Sequence, residues 1–128
     1  MNNAGGYFVS VVIPVFNEEE SLPELYSKLT AMLERTAAGH ELIFVDDGST
    51  DRSLGTVLSL RERDRRVKLI SFNRNYGKSP ALSEGFKAAR GAVVVTIDAD
   101  LQDNPDEIPG MIRKLDEGYD LISGWKAS

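Results

Sequence analysis

Two carboxylates, Asp98 and Asp100, stand one residue apart directly after the run Ala92-Val93-Val94-Val95-Thr96-Ile97. That run reads as a buried strand, so both acids fall where the strand must end. Two acids so close repel each other, and burying either one unpaired is costly. A divalent cation shared with a phosphate-bearing substrate resolves both problems. The plainer alternative is that Asp98 and Asp100 cap a turn, where Asp is common. Gln102 adds a third oxygen, so Asp98, Asp100 and Gln102 make a candidate ligand set for Mg2+ or Mn2+. Such a metal keeps waters, shares phosphate oxygens and acts as a Lewis acid toward a diphosphate leaving group.

Other chemistry-bearing residues gather in three further clusters. Lys78 and Arg74 can add cationic contacts to the same phosphates, although Arg74 reads equally well as half of a surface ion pair. Asp46 and Asp47 form a second acid pair. One can accept a hydrogen bond from a base N–H or a ribose hydroxyl, while the other caps the following helix. Phe16, two residues after Pro14, is either an apolar wall for a nucleobase or part of the core. His40 follows Gly39 in an expected loop and receives no role. No Ser-His-Asp arrangement is present, and both the G-x-G-x-x-G turn after the first strand and the Walker phosphate loop are missing.

Alternating apolar runs and helical patterns position these clusters. Phe8 to Pro14 is the first strand. Ser21-Leu22-Pro23-Glu24 has capping-box spacing, and Leu22, Leu25, Leu29, Met32 and Leu33 then share one helical face, with Gly39 as the stop. Leu42 to Val45 is the second strand, followed by a helix capped by Ser49 or Thr50 and carrying Leu54, Val57, Leu58 and Leu60. Val67 to Phe72, a helix over Ser79 to Arg90, and Ala92 to Ile97 come next. Asn104 as cap and Pro105 at the first helical position open a last helix with Ile108, Met111, Ile112 and Leu115 on its apolar face. Gly118 ends it, and Asp120 to Ser123 makes a short fifth strand.

This β-α alternation predicts an α/β fold, a mostly parallel sheet with helices on both faces. Ligands of such sheets bind at the carboxyl ends of the strands, where strand order reverses. All four polar clusters fall at such ends: Pro14 to Glu18, Asp46 to Ser49, Asn73 to Lys78, and Asp98 to Asp100. A strand order of 3-2-1-4 brings them to one rim.

Composition narrows the function classes. A chain of 128 residues makes one domain. Its net charge of -5, with no basic stripe, argues against nucleic acid as a partner. The Arg61 to Lys68 stretch is locally basic, but Glu62 and Asp64 interrupt it, and it reads as a solvated helix end. With no cysteine, neither a disulfide framework nor a thiolate metal site exists. Met1 to Gly6 does not make a signal peptide, and no apolar run reaches the ~20 residues of a membrane helix. Cytoplasmic exposure is the expectation.

The clusters together resemble the inverting glycosyltransferases of family 2, specifically the nucleotide-binding half of a GT-A fold. Val12-Ile13-Pro14-Val15-Phe16-Asn17-Glu18 is similar to that family's opening motif, Val45-Asp46-Asp47-Gly48-Ser49 to its second, and Asp98-Ala99-Asp100 to its metal motif. Asn73 to Lys78 and Asp98 to Asp103 are similar to the polyprenyl-phosphate sugar transferases, among them dolichol-phosphate mannose synthases and bactoprenol glucosyltransferases. The resemblance implies that Pro14, Phe16, Asn17 and Glu18 border a UDP- or GDP-linked sugar. It implies that Asp46 and Asp47 hold base or ribose and that Lys78 lies near the base or phosphates. Asp98, Asp100 and Gln102 would bind the metal, with the Ala99 backbone close to the ribose.

The implied reaction passes the sugar to a lipid-linked phosphate in cell-envelope glycan or glycolipid synthesis, at the inner face of the membrane. A phosphate acceptor is already ionised at neutral pH, so little is asked of a general base. No catalytic residue is assigned beyond metal assistance through Asp100. The resemblance runs from about Phe8 to Trp125 and stops before the family's acceptor-binding half. The expectation is therefore a fragment that binds donor nucleotide and transfers weakly or not at all, with membrane association belonging to a full-length form. Two other classes fit less well. A response-regulator receiver places acids after its first strand, where this chain has Pro14. A nucleotidyltransferase carries a Gly/Arg-rich loop where this chain has Asn17-Glu18-Glu19-Glu20.

Overall fold

A computed structural model describes residues 6–100, 104–110, 112 and 113, and the backbone of 111 and 114–116. Four strands, β1 (Phe8–Val15), β2 (Gly39–Asp46), β3 (Val67–Ser71) and β4 (Val93–Thr96), form one parallel sheet in the order β3-β2-β1-β4. This is the order with which the sequence analysis brought the four polar clusters to one rim. Four helices accompany them: α1 (Leu22–Thr36), α2 (Ser53–Arg63), α3 (Lys78–Ala88) and α4 (Ile108–Asp116).

The apolar run of β1 is buried on both sides because the alternation of a strand sends its side chains to two different layers. Val9, Val11, Ile13 and Val15 pack with Leu25, Leu29 and Leu33 of α1, Val57 and Leu60 of α2, and Ile108 and Ile112 of α4. Val12, with Ile43 and Val45 of β2, faces Ala81 of α3. Each such fully buried side chain contributes roughly 1.5–3 kcal/mol. On the second face α3 lies flush on the sheet. A Cβ at Gly85 would stand 2.3 Å from Val12 Cγ1 and 3.3 Å from Val45 Cγ2.

Several local expectations are corrected. Gly39 does not stop the first helix: α1 ends at Thr36, Ala37 is extended, and Gly39 opens β2 opposite Phe8. A Cβ on Gly39 would come within 2.9 Å of the Phe8 ring, so this glycine serves a close approach. His40 is consequently a strand residue, 3% exposed, rather than a loop residue. Ser21 precedes α1 without capping it, because its hydroxyl is used elsewhere. Neither Ser49 nor Thr50 caps α2. That helix starts at Ser53, whose N–H donates to Asp51 Oδ1 at 2.8 Å. Leu58 lies on the exposed side of α2, which buries Val57 and Leu60 instead. Asn104 does cap as expected, its Oδ1 accepting from the Asp106 N–H at 3.0 Å before a short 3-10 turn over Pro105–Glu107. Met111, Leu115, Gly118 and the expected strand at 120–123 lie outside the described side chains and residues.

The basic stretch after α2 is tied down more than a solvated helix end requires. Arg66 Nε lies 2.9 Å from Asp64 Oδ1, its Nη2 lies 3.0 Å from Glu34, and the Tyr26 hydroxyl donates to Asp64 Oδ2 at 2.7 Å. Burial alone would raise the Asp64 carboxyl, but hydrogen bonds from Arg66 and Tyr26 outweigh it and hold the group far below the ordinary carboxylate range.

Three expected outcomes come from this packing. The Gly85→Ala chain is about 1 kcal/mol less stable in urea denaturation, because overpacking against Val12 exceeds the gain in helix propensity. Gly55→Ala in α2, where a Cβ meets nothing within 4 Å, is instead stabilised by about 0.5–1 kcal/mol. Because the Asp64 carboxyl is depressed in the folded state, its contribution is complete above its unfolded value of about 3.9 and is lost as pH falls below it. The stability gap between the native chain and Asp64→Asn therefore narrows as unfolding is measured at decreasing pH from about 5 to 2.

Candidate functional site

The four carboxyl-terminal loops meet on one rim. Past β1, Asn17 adopts a left-handed backbone with φ 55°. Asn is one of the few non-glycine residues that tolerates this conformation. Its side-chain oxygen accepts from the N–H groups of Thr50 at 2.8 Å and Asp51 at 3.2 Å. In return, Ser49 Oγ accepts from the Asn17 N–H at 2.9 Å and Ser53 Oγ from the Glu18 N–H at 2.8 Å. These reciprocal bonds weld the loop after β1 to the loop after β2.

The loop after β3 is held by one side chain. The carboxylate of Asp47 accepts from the Tyr76 N–H at 2.7 Å, the Gly77 N–H at 3.0 Å and the Asn75 amide at 3.2 Å. Gly48 makes this approach possible. Its φ is +73°, and a Cβ there would stand 2.2 Å from the Arg74 carbonyl carbon and 2.5 Å from the Asn75 nitrogen. Beyond it, Tyr76 packs edge-on against Phe72 at 5.6 Å, and the Arg74 guanidinium lies 4.7 Å above the Tyr76 ring. Arg74 is thus placed by an aromatic face rather than by a surface ion pair.

The loop after β4 is joined to the opposite layer. Ser21 Oγ donates to the Ala99 carbonyl at 2.7 Å, which fixes the backbone between Asp98 and Asp100 against the start of α1. Lys78, the first residue of α3, places its ammonium 2.7 Å from Asp98 Oδ1. Burial, and next the Asp100 carboxylate, raise the Glu18 carboxyl above its ordinary value, with Asp51 and Asp98 adding to the effect and the Ser21 hydroxyl opposing it. Negative charge is therefore concentrated at the mouth of the rim.

These loops enclose an open cleft of about 320 Å³. Eight expected site residues line it: Pro14, Phe16, Glu18, Asp47, Lys78, Asp98, Ala99 and Asp100. Phe16 is 42% exposed and so is wall rather than core. Asn17 and Asp46 are not among the lining residues. Asn17 is turned to the loop after β2, and Asp46 is 1% exposed. Asp46 Oδ2 accepts from the Ser49 N–H at 3.3 Å, while its Oδ1 is buried without a partner. Neither acid of this pair caps α2. Gln102 lies outside the described residues. Sequence reasoning missed Ser21, Ser53 and Asn75. Ser21 looked like a helix cap, and nothing local marks a hydroxyl that reaches a carbonyl 78 residues away.

A hard cation suits this chemistry. The carboxylates of Asp98 and Asp100 are oxygen donors beside a third acid, Glu18, that is already disfavoured in its charged form by its neighbours. Among the described residues no group of three or more His, Cys, Asp or Glu side chains closes around a metal ion.

The model of the Glycosyl transferase family 2 matches residues 10–127. The undecaprenyl-phosphate 4-deoxy-4-formamido-L-arabinose transferase of Shewanella sediminis is 47% identical over 116 residues, which are 90% of this chain and 35% of that protein. The chain thus spans about a third of the length of the curated relatives it matches. The mannosyltransferase of Pyrobaculum calidifontis, solved in complex with GDP-Man and Mn2+, shares the fold with a TM-score of 0.73 at 24% identity, covering 90% of this chain and 34% of that one. Glucosyl-3-phosphoglycerate synthase from Mycobacterium tuberculosis, solved in complex with UDP, gives a TM-score of 0.68 at 27% identity over 86% of this chain and 40% of that chain. The expected α/β class and parallel sheet are those of these glycosyltransferases.

The grip of Asp47 on the loop after β3 is directly measurable. Asp47→Ala removes the acceptor of the Tyr76 and Gly77 amides, and their protection in hydrogen exchange falls about tenfold or more, as the loss of charge-assisted hydrogen bonds of roughly 1.5–3 kcal/mol requires. Unchanged protection at both amides overturns this assignment.

Proposed function

Because the chain belongs to glycosyl transferase family 2, we propose that it is the donor-binding part of an inverting transferase. The enzyme moves a sugar from a UDP- or GDP-linked donor to a polyprenyl phosphate, for cell-envelope glycan or glycolipid synthesis at the inner face of the membrane. The observation that carries this reading is the convergence of Phe16, Lys78, Asp98 and Asp100 on one cleft. No described helix is long and apolar enough to cross a membrane, so lipid contact in this reading belongs to the wider protein.

Each residue has a task in that cleft or in shaping its walls. The exposed ring of Phe16 gives the base an apolar face. Asp46, with its unpartnered buried Oδ1, and Asp47 stand on the base or ribose side, where Asp47 also holds the neighbouring loop. Pro14, Asn17 and Glu18 border the nucleotide, Asn17 by shaping the turn. Asp98 and Asp100, with Gln102, are the residues that hold Mg2+ or Mn2+. When bound, the metal supplies Lewis acidity to the departing diphosphate. Lys78, which pairs with Asp98 in this structure, is within reach of the same phosphates as a mobile point charge. The Ser21 hydroxyl holds the Ala99 carbonyl and keeps the backbone between the two acids in place beside the ribose. The acceptor phosphate is an ionised nucleophile, so no side chain of the rim has to remove its proton.

Calorimetry with UDP and GDP tests this. One of the two nucleotides binds in Mn2+, loses affinity about 100-fold or more in EDTA, and loses as much when Asp98→Ala and Asp100→Ala are combined. Absence of binding of either nucleotide to folded chain in the presence of metal overturns the reading.

A further inference from the structure

The opposite edge of the sheet carries a second cleft, independent of the donor reading. It opens at the amino ends of the strands, where the ligand rule for parallel sheets places nothing. Its volume is about 360 Å³, somewhat larger than the cleft on the rim. In a chain of net charge -5, its walls hold four cations, Arg65, Arg66, Lys68 and Arg90, and one acid, Glu41.

The acid is already spent. Glu41 Oε2 accepts from the Ser10 hydroxyl and from the Arg90 N–H, both at 2.7 Å, and Oε1 lies 3.4 Å from the Lys68 ammonium. Arg66 is likewise committed to Asp64 and Glu34. Arg65 and Arg90 are different: both are exposed, and neither has an ion-pair partner among the described residues. The bond from the Arg90 backbone to Glu41 fixes the point from which that guanidinium extends over the cleft.

A second observation marks the inner wall. His40 lines this cleft and is 3% exposed, yet its Nε2 is buried with no hydrogen-bond partner. A buried polar atom without a partner is costly, and no described group answers it. An anion lodged in the cleft gives Arg65 and Arg90 the planar, bidentate partner their geometry favours.

We propose that this cleft is an anion-binding site for a phosphate monoester, held by Arg65 and Arg90 with His40 at its inner wall. The phosphate can arrive as a soluble ester or as the headgroup of a lipid; the chemistry of the site is the same for both. The locally basic stretch Arg61 to Lys68, which in the sequence reads as a solvated helix end, supplies part of this wall.

The test is a titration of the 15N-labelled 128-residue chain with inorganic phosphate at ionic strength held constant with sodium chloride. The expected result is a saturable shift of the Arg65 and Arg90 side-chain Nε signals. Combined Arg65→Ala and Arg90→Ala lowers the affinity about tenfold or more. Removing the same charge from α2 by Arg61→Ala and Arg63→Ala leaves it unchanged. Vesicles of phosphatidylcholine with and without phosphatidic acid separate the sources. Arginine-dependent binding to the phosphatidic acid vesicles identifies a headgroup, and phosphate binding without it identifies a soluble ester. A non-saturating drift, an equal loss in the α2 control, or vesicle binding that survives the Arg65 and Arg90 substitutions overturns the proposal.

Discussion

The Asp47 carboxylate accepts three hydrogen bonds from a loop that begins about 25 residues later in the chain, and the geometry of the rim depends on that grip. A carboxylate satisfied by backbone N–H groups is a strong, directional anchor. It draws the backbone at Arg74 and Asn75 so close to Gly48 that no side chain fits between them. Lys78 follows one residue after the last anchored amide, so the position of its ammonium over Asp98 derives from the same contact. Without that anchor, the loop after β3 has little else to hold it over the sheet edge, since β3 is the half-buried strand at the border.

Charge divides the molecule into two ends. At the carboxyl edge, Glu18, Asp98 and Asp100 crowd together, with the Lys78 ammonium against Asp98, an arrangement that favours a cation and, through it, phosphates. At the amino edge, arginines crowd around a carboxylate that is already fully hydrogen-bonded. The sheet between them is almost wholly apolar and insulates the two ends. Neither end is visible in the net charge, which averages over both.

Much of this was legible in the sequence because the signals were local. Near-continuous Val and Ile runs marked three of the four strands, and turn-forming acids at their ends placed the rim. The order β3-β2-β1-β4 was the one under which the polar clusters were expected to share a rim, and it is the order observed. The losses share a cause as well. Gly39, Ser21 and Ser49 each have a familiar local role as helix stop or cap, but in the fold each answers to a partner far along the chain: Phe8, Ala99 and Asn17. His40 was overlooked because a histidine after a glycine carries no period. Its burial depends on β2 beginning three residues before the apolar run does. Asp46 and Asp47, alike in sequence, diverge in the structure: one is buried with an unpartnered oxygen and the other is saturated by a loop. That difference lies in the path of the loop after β3, which no spacing near Asp47 encodes.

The bonds that make the rim also set an order in time. The loops after β1 and β2 can lace together once residue 53 exists, since every partner lies within about 35 positions of Asn17 and Glu18. The contact between Ser21 and Ala99 spans 78 positions, and closing a longer loop carries a larger entropic cost before any contact repays it. On a ribosome the amino-terminal part is made first. The wall made by the loops after β1 and β2 therefore needs only the first part of the chain, whereas the acids that face it come with β4, near the end of the described residues. The closed edge on which the chemistry of the rim rests is thus the part of this fold that needs the longest stretch of chain.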